Sequence, residues 1–504
     1  MFSLGTMKTS TRDHLFLAGL TAGAILVQGY HFGTEDQAIY VPAIRKILDP
    51  TLYPHDSEFF LPQTRATLFG NLVAFMVRYT HLSCAAVLFI IQISSIYLIL
   101  LGCLKLTRRL FHESSAHWAG TCLVASLLTI PIAGTALYIV DEYTHPGALA
   151  TFALLFALLA VFPGETPGKP VDRACLRPRP LLWIIVWLAA AALVHIQMAF
   201  YGALFLAFLL FKMPARAESL TLSAILPLRS LWEPASAAWK KAARTRTDHY
   251  LLLWHWYELL GVVAPLAILE GYARLARRHQ LPRLAYLCRR LALYGLFGLT
   301  AGVVLTIPAR FERLTPYQPM RTFHILYLLF FLVTGALIGK WVLRNSLWKW
   351  LVFFVPLCCG MFYAQLQIYS GSPHIEWPGA QDPNPWVQAF LWIRHNTPKD
   401  AYFALNPRFM KLPGEDYHGF RAMAERSRMA DYVKDPAVVA LFPDIGNEWL
   451  KQVTALQGWK HFTVKDFVRL KQQFGVGWVV LEQPGVPGLD CPYQNSRVRV
   501  CRIE

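Results

Sequence analysis

Charge is what this chain lacks most. Of its 504 residues only 16% are charged, against about 25% in a soluble domain. Acids are the scarcer sign, 31 Asp and Glu against 48 Lys and Arg, for a formal charge of +17. That deficit, with many long apolar runs, excludes an ordinary soluble enzyme. On a soluble protein the positive balance would suggest nucleic acid. Here the basic residues flank apolar runs, which fits orientation in a bilayer and contact with membrane lipid, so no nucleic-acid partner is expected. Other absences narrow the chemistry. There is no P-loop, no Rossmann glycine fingerprint, no His-Glu-x-x-His and no zinc-like cysteine spacing. Cysteine is nearly missing from polar sequence: only Cys491 and Cys501 lie in the polar C-terminal region. They could form a disulfide if that region lies outside the cytoplasm.

What is present is apolar sequence in helix-length runs. Helices are expected at 14–30, 83–104, 116–140, 147–163, 181–195, 198–212, 217–228, 257–273, 291–308, 322–339 and 347–369. The fold class is therefore an α-helical polytopic membrane protein with about 11 transmembrane helices, given the ~20 residues a span needs. The first run is read as a retained helix rather than a cleaved signal. Basic clusters at Lys105–Arg109, Lys169–Arg179, Lys212–Arg216, Arg274–Arg290 and Lys340–Lys349 are assigned to the cytoplasm. This puts the N-terminus inside, the C-terminus outside, and keeps 217–228 as a short span. Residues 229–253 then read as an amphipathic segment on the outer membrane surface. Two domains result: a transmembrane domain 1–370, with a first extracytoplasmic loop 31–82, and an extracytoplasmic α/β domain 371–504. In the latter, helices are expected at 386–395, 444–456 and 464–474, and strands at 401–405, 477–481 and 498–503.

The first loop opens on adjacent acids, Glu35 and Asp36, directly after an apolar helix. Carboxylates at a membrane surface are costly to desolvate and mark candidate sites. Either could act as general base or help to hold a metal. The competing explanation is a cap on a helix over 37–47, since acids favour helix N-termini. A second acidic loop, Asp141-Glu-Tyr-Thr-His145, lies on the same expected face. Asp36 and Asp141 could share a divalent cation such as Mg or Mn through oxygen ligands. His195, with Gln197, interrupts an apolar run near that face, and Glu258 begins another span. Arg321, with Gln318 three residues before it, follows Arg310-Phe-Glu-Arg313 and could hold a phosphate bidentately. Asp141, Glu142, His145, His195, Glu258, Gln318 and Arg321 are thus the candidate substrate contacts, and Asp36 and Glu35 the candidate catalytic pair.

Several of these motifs have a family likeness. The acidic first loop, the second acidic loop, the many spans and the C-terminal α/β domain resemble bacterial membrane proteins of the C-type glycosyltransferase (GT-C) fold. Asp49-Pro-Thr-Leu-Tyr-Pro-His-Asp56, Trp254-His-Trp-Tyr-Glu258, Gln318-Pro-Met-Arg321 and Trp392-Ile-Arg-His-Asn-Thr-Pro398 are similar to one bacterial group of this kind. The resemblance implies a polyprenyl-phosphate sugar donor, a first-loop acid as base (Asp36 or Glu35), and Arg321 at the phosphate. The chain departs from the family in having no Asp-x-Asp at that loop. The expectation is a multi-pass glycosyltransferase of the bacterial inner membrane. The alternatives are a transporter or flippase for a lipid-linked sugar, and a non-catalytic subunit in envelope polysaccharide assembly.

Overall fold

The computed structural model describes residues 10–164, 178–211 and 235–504. Lys8, the basic cluster Lys169–Arg177, the turn Lys212–Arg216 and the short span 217–228 lie outside the described residues. Among those described, five helices are long and apolar enough to cross a membrane: Cys84–Leu110, Trp256–Arg278, Pro282–Thr306, the run Ala309–Leu343 and Leu347–Ile368. Three shorter apolar helices, Pro146–Val161, Pro178–Val194 and Ile196–Leu210, pack with them. Thr11–Gln28 opens on a capping box, with Ser10 and Asp13 each bonding the other's backbone N–H. The protein is thus a largely helical one with several candidate spans.

One expected long helix is broken. Only Ser114–Ser126 is helical where 116–140 was expected. Pro131 has no N–H and disfavours helix at the residue before it. Beyond the break the polar side chains find partners inside the bundle. Gln28 donates from Nε2 to the Ser126 carbonyl at 2.9 Å, and Gln365 donates to Thr129 Oγ1 at 2.8 Å. The chain then runs as turns to His145, and this irregular stretch delivers the second acidic loop.

Basic residues at one end of the bundle tie its connections together. Arg108 bonds Asp13 at 2.8 Å, Lys340 bonds Glu113 at 2.5 Å, and Arg283 donates to the carbonyls of Pro163 and Gly164. The C-terminal domain builds on a five-stranded sheet: β1 (Tyr402–Leu405), β2 (Ser427–Arg428), β3 (Trp478–Glu482), β4 (Asp490–Gln494) and β5 (Val498–Arg502), in the order β2-β1-β3-β5-β4. β1 runs parallel to both β2 and β3, while β5 is antiparallel to β3 and β4. Cys491 and Cys501 form a disulfide between β4 and β5, which fits an oxidising compartment.

The described part of the segment 229–253 packs on the C-terminal region. Its helix Ala237–Ala243 buries Ala238, Trp239, Ala242 and Ala243 against helices Asp435–Leu441 and Gly446–Ala455. Trp239 donates from Nε1 to the Ala440 carbonyl at 3.0 Å. The segment is amphipathic as expected, but its apolar face meets protein, not lipid; Lys240, Lys241 and Arg244 stay on the exposed side.

The first loop is likewise stitched into this domain. Tyr30 pairs with Ile375, and Thr34 with His418. Glu35 donates its N–H to the Tyr417 carbonyl at 3.0 Å, and Gly419 to the Gly33 carbonyl at 2.8 Å. Gly33 has φ +79°, and a Cβ there would lie 2.5 Å from Met423 Sδ. Only glycine meets both demands without strain.

Candidate functional site

Helix Gln37–Leu48 forms as expected, but Asp36 does not cap it. Asp36 stands before the first residue with αR backbone and makes no side-chain cap hydrogen bond. The Gln37 side chain ties the turn instead, accepting from Gly33 N at 2.7 Å and donating to the Thr144 carbonyl at 3.1 Å. The capping explanation for Asp36 therefore fails. Its carboxylate is directed elsewhere, with 37% of its side-chain surface accessible.

Lys434 is the principal partner. Its ammonium, 6% exposed, lies 2.7 Å from Asp36 Oδ1 and in contact with Glu35. Burial opposes the charge on Asp36, but Lys434, with help from Arg246, outweighs it and holds the carboxyl well below the usual range. Asp36 is thus kept ionised by a lysine 398 residues along the chain, which Glu35 also contacts.

His145 links this pair to the second acidic loop. The His145 Nδ1 accepts from Gly147 N at 3.0 Å as it caps helix Pro146–Val161. The neutral ring then carries its proton on Nε2, which faces Asp36 Oδ2 at 3.6 Å. Burial drives the His145 pKa down to about 4 against the pull of Asp36. Asp141 Oδ2 lies 3.8 Å from the other ring nitrogen. Burial, followed by the Glu142 and Asp36 charges, pushes the Asp141 carboxyl well up, toward its neutral form. His195 caps helix Ile196–Leu210 and sets its ring edge-on to His145, 5.6 Å between centroids.

A cationic wall completes the arrangement. Arg321 donates from Nε to Gln318 Oε1, and Gln318 donates in turn to Asp248 Oδ2 at 3.0 Å. Arg246 bonds the same Asp248 oxygen at 3.3 Å, leaving its buried Nε without a partner. Asp36 and Asp248 both lie within electrostatic reach of Arg321. A cavity of about 10 Å³, room for a single water, opens beside Arg321 and Gln318 and is lined by partnerless polar atoms of His249, Trp254 and Thr306.

The structure therefore brings together Glu35, Asp36, Asp141, His145, His195, Gln318 and Arg321. It separates two other candidates. Glu142 turns away to accept from the Tyr369 hydroxyl, with its second oxygen unpartnered. Glu258 caps its own helix, accepting from His255 N at 2.6 Å. Asp36 and Asp141 do not meet as a ligand pair, because the His145 ring stands between them and the Lys434 ammonium already sits on Asp36. Three site residues escaped the sequence reading: Lys434, Arg246 and Asp248. Arg246-x-Asp248 lay in a segment read as surface, and Lys434 has no local signal at all. Compared with known proteins, the chain matches no family model and no curated protein sequence.

Proposed function

We propose that the protein is a membrane glycosyltransferase of the GT-C type, moving a sugar from a polyprenyl-phosphate donor to an extracytoplasmic acceptor. Asp36 carries this reading: an accessible, ionised carboxylate that caps nothing, ringed by Lys434, Arg246 and Arg321 and flanked by two imidazoles. In transfer, the acceptor oxygen bonds to the sugar's anomeric carbon, the bond from that carbon to phosphate breaks, and the acceptor's proton must leave. Asp36 takes the proton. Arg321 and Arg246 hold the departing phosphate charge. Lys434 keeps Asp36 ionised but weakly basic at rest; an acceptor hydroxyl that displaces the ammonium from Oδ1 raises that basicity. His145 and His195 wall the acceptor side. A cation shared by Asp36 and Asp141 has no part in this reading, given what occupies the space between them.

Orientation belongs to the same proposal. The basic end of the bundle faces the cytoplasm and the disulfide-bearing domain faces outward from a bacterial inner membrane. About eleven crossings would satisfy that arrangement, three beyond the eight apolar helices described.

The test is Asp36→Asn in vesicles supplied with a polyprenyl-phosphate sugar. Transfer should fall by roughly 10²–10⁴-fold, the range for loss of a general base, with the protein still folded. An unchanged rate removes Asp36 from the mechanism. Sugar crossing the bilayer without covalent transfer would make the protein a transporter of lipid-linked sugar.

A further inference from the structure

On the far side of the first loop, His31, Glu376, Asp382 and His418 gather between the membrane bundle and the C-terminal domain. One ligand atom each of Glu376, Asp382 and His418 lies within 4.8 Å of the others. Metal–ligand bonds of roughly 2.0–2.2 Å place neighbouring donors about 3–4.5 Å apart, so these three atoms can surround one ion.

The hydrogen bonds around the cluster leave the right atoms available. His418 donates from Nδ1 to the Glu415 carbonyl at 2.8 Å. That is the outer bond metal-binding histidines make, and it turns Nε2 toward the cluster. This nitrogen faces Glu376 Oε1 at 3.0 Å. A contact that short is bridged by a proton on Nε2 or by a cation bound to both atoms. The other Glu376 oxygen is fixed by Phe32 N at 3.0 Å, and Asp382 Oδ1 by Asn384 N at 2.8 Å. Each carboxylate thus has one oxygen anchored by backbone, while its other oxygen faces the cluster. His31, fully buried, sets its Nδ1 2.9 Å from Glu376 Oε1, and its Nε2 has no partner. A second imidazole therefore stands at the same oxygen.

We infer that Glu376, Asp382 and His418, with His31 adjoining, form a divalent metal site that clamps the first loop to the C-terminal domain. Imidazole combined with carboxylate selects zinc over calcium or magnesium. The clamp holds residues 30–32, three to five positions before Glu35, and so sets where the Glu35–Asp36 turn stands.

The experiment uses the full-length protein in detergent, stripped with EDTA, reloaded with Zn²⁺ and desalted. Wild type should retain about one zinc per chain by elemental analysis and melt several degrees higher than the stripped form. Asp382→Asn removes a ligand while leaving the His418–Glu376 contact, so it should fold yet lose the zinc and the thermal shift. Asp36→Asn should keep both, separating this site from the proposed transfer chemistry. Wild type without retained zinc, or Asp382→Asn retaining it fully, overturns the inference. The cluster is then an imidazolium–carboxylate pair held by a proton.

Discussion

At the scale of single residues, the site depends on one ion pair between distant parts of the chain. Lys434→Met leaves Glu35 and Asp36 without their cation. Breaking a buried pair costs about 3–5 kcal/mol. Because Asp36 is 37% and Glu35 28% exposed, water offsets part of that, and about 2 kcal/mol is expected. Denaturant unfolding of wild type and variant checks this; equal midpoints would show that the pair is not structural. Histidines give the pH dependence. His145 and His249 both have folded pKa values near 4, set first by burial, against about 6.5 unfolded. The unfolded chain binds more protons between those values, so stability is full above pH 6.5 and falls as pH drops toward 4. The loss is up to about 3 kcal/mol per histidine. A melting curve series from pH 7 to 4 should show this slope, and His145→Gln should flatten it; an unchanged slope in that variant contradicts the assignment. The acids of this site were legible because they are rare and follow an apolar helix. Lys434 was not, because nothing local marks a lysine whose partner is 398 residues away.

At the scale of elements, apolar length located the helices well. The expected runs at 322–339 and 347–369 correspond to Thr322–Ile338 and Leu347–Ile368, since a buried or lipid-facing helix needs little beyond continuous apolar sequence. The strands at 401–405, 477–481 and 498–503 were equally plain from their β-branched and aromatic residues. The strands Ser427–Arg428 and Asp490–Gln494 were not expected, and two other failures have clear physical causes. In 116–140 hydropathy stayed high through Pro131, and composition does not register a backbone break. In 235–253 the amphipathic pattern revealed an apolar face but not what covers it. That covering gives a test. Trp239 is 2% exposed, and Trp239→Ala should cost about 3–5 kcal/mol. It should also free Arg246 and Asp248 from their places beside Gln318. Increased proteolysis within 235–253 would report the released segment; protection equal to wild type would show that the helix is held by other contacts.

At the scale of the whole molecule, basic connections gather at one end of the bundle and the disulfide-bearing domain at the other. If charge sets the orientation, protease added to spheroplasts should reach exposed sites of the 371–504 domain, such as Lys465 and Arg469 on helix Val464–Phe474. Inside-out vesicles should protect it, and the reverse pattern would invert the topology. The fold was legible at this scale as a mostly helical chain with a small C-terminal sheet. What the sequence could not display is how far the two interpenetrate, since the pairs Tyr30–Ile375 and Thr34–His418 join segments 345 and 384 residues apart. That separation has a consequence for biogenesis. The Asp36 carboxylate leaves the ribosome 398 residues ahead of Lys434, about 20–80 s earlier at ordinary synthesis rates. For that interval the first loop carries two acids without their lysine, and only synthesis of the last portion of the chain completes the site. The acidic turn therefore reaches its final electrostatic setting only after the segment bearing Lys434 has been made and has docked on the first loop.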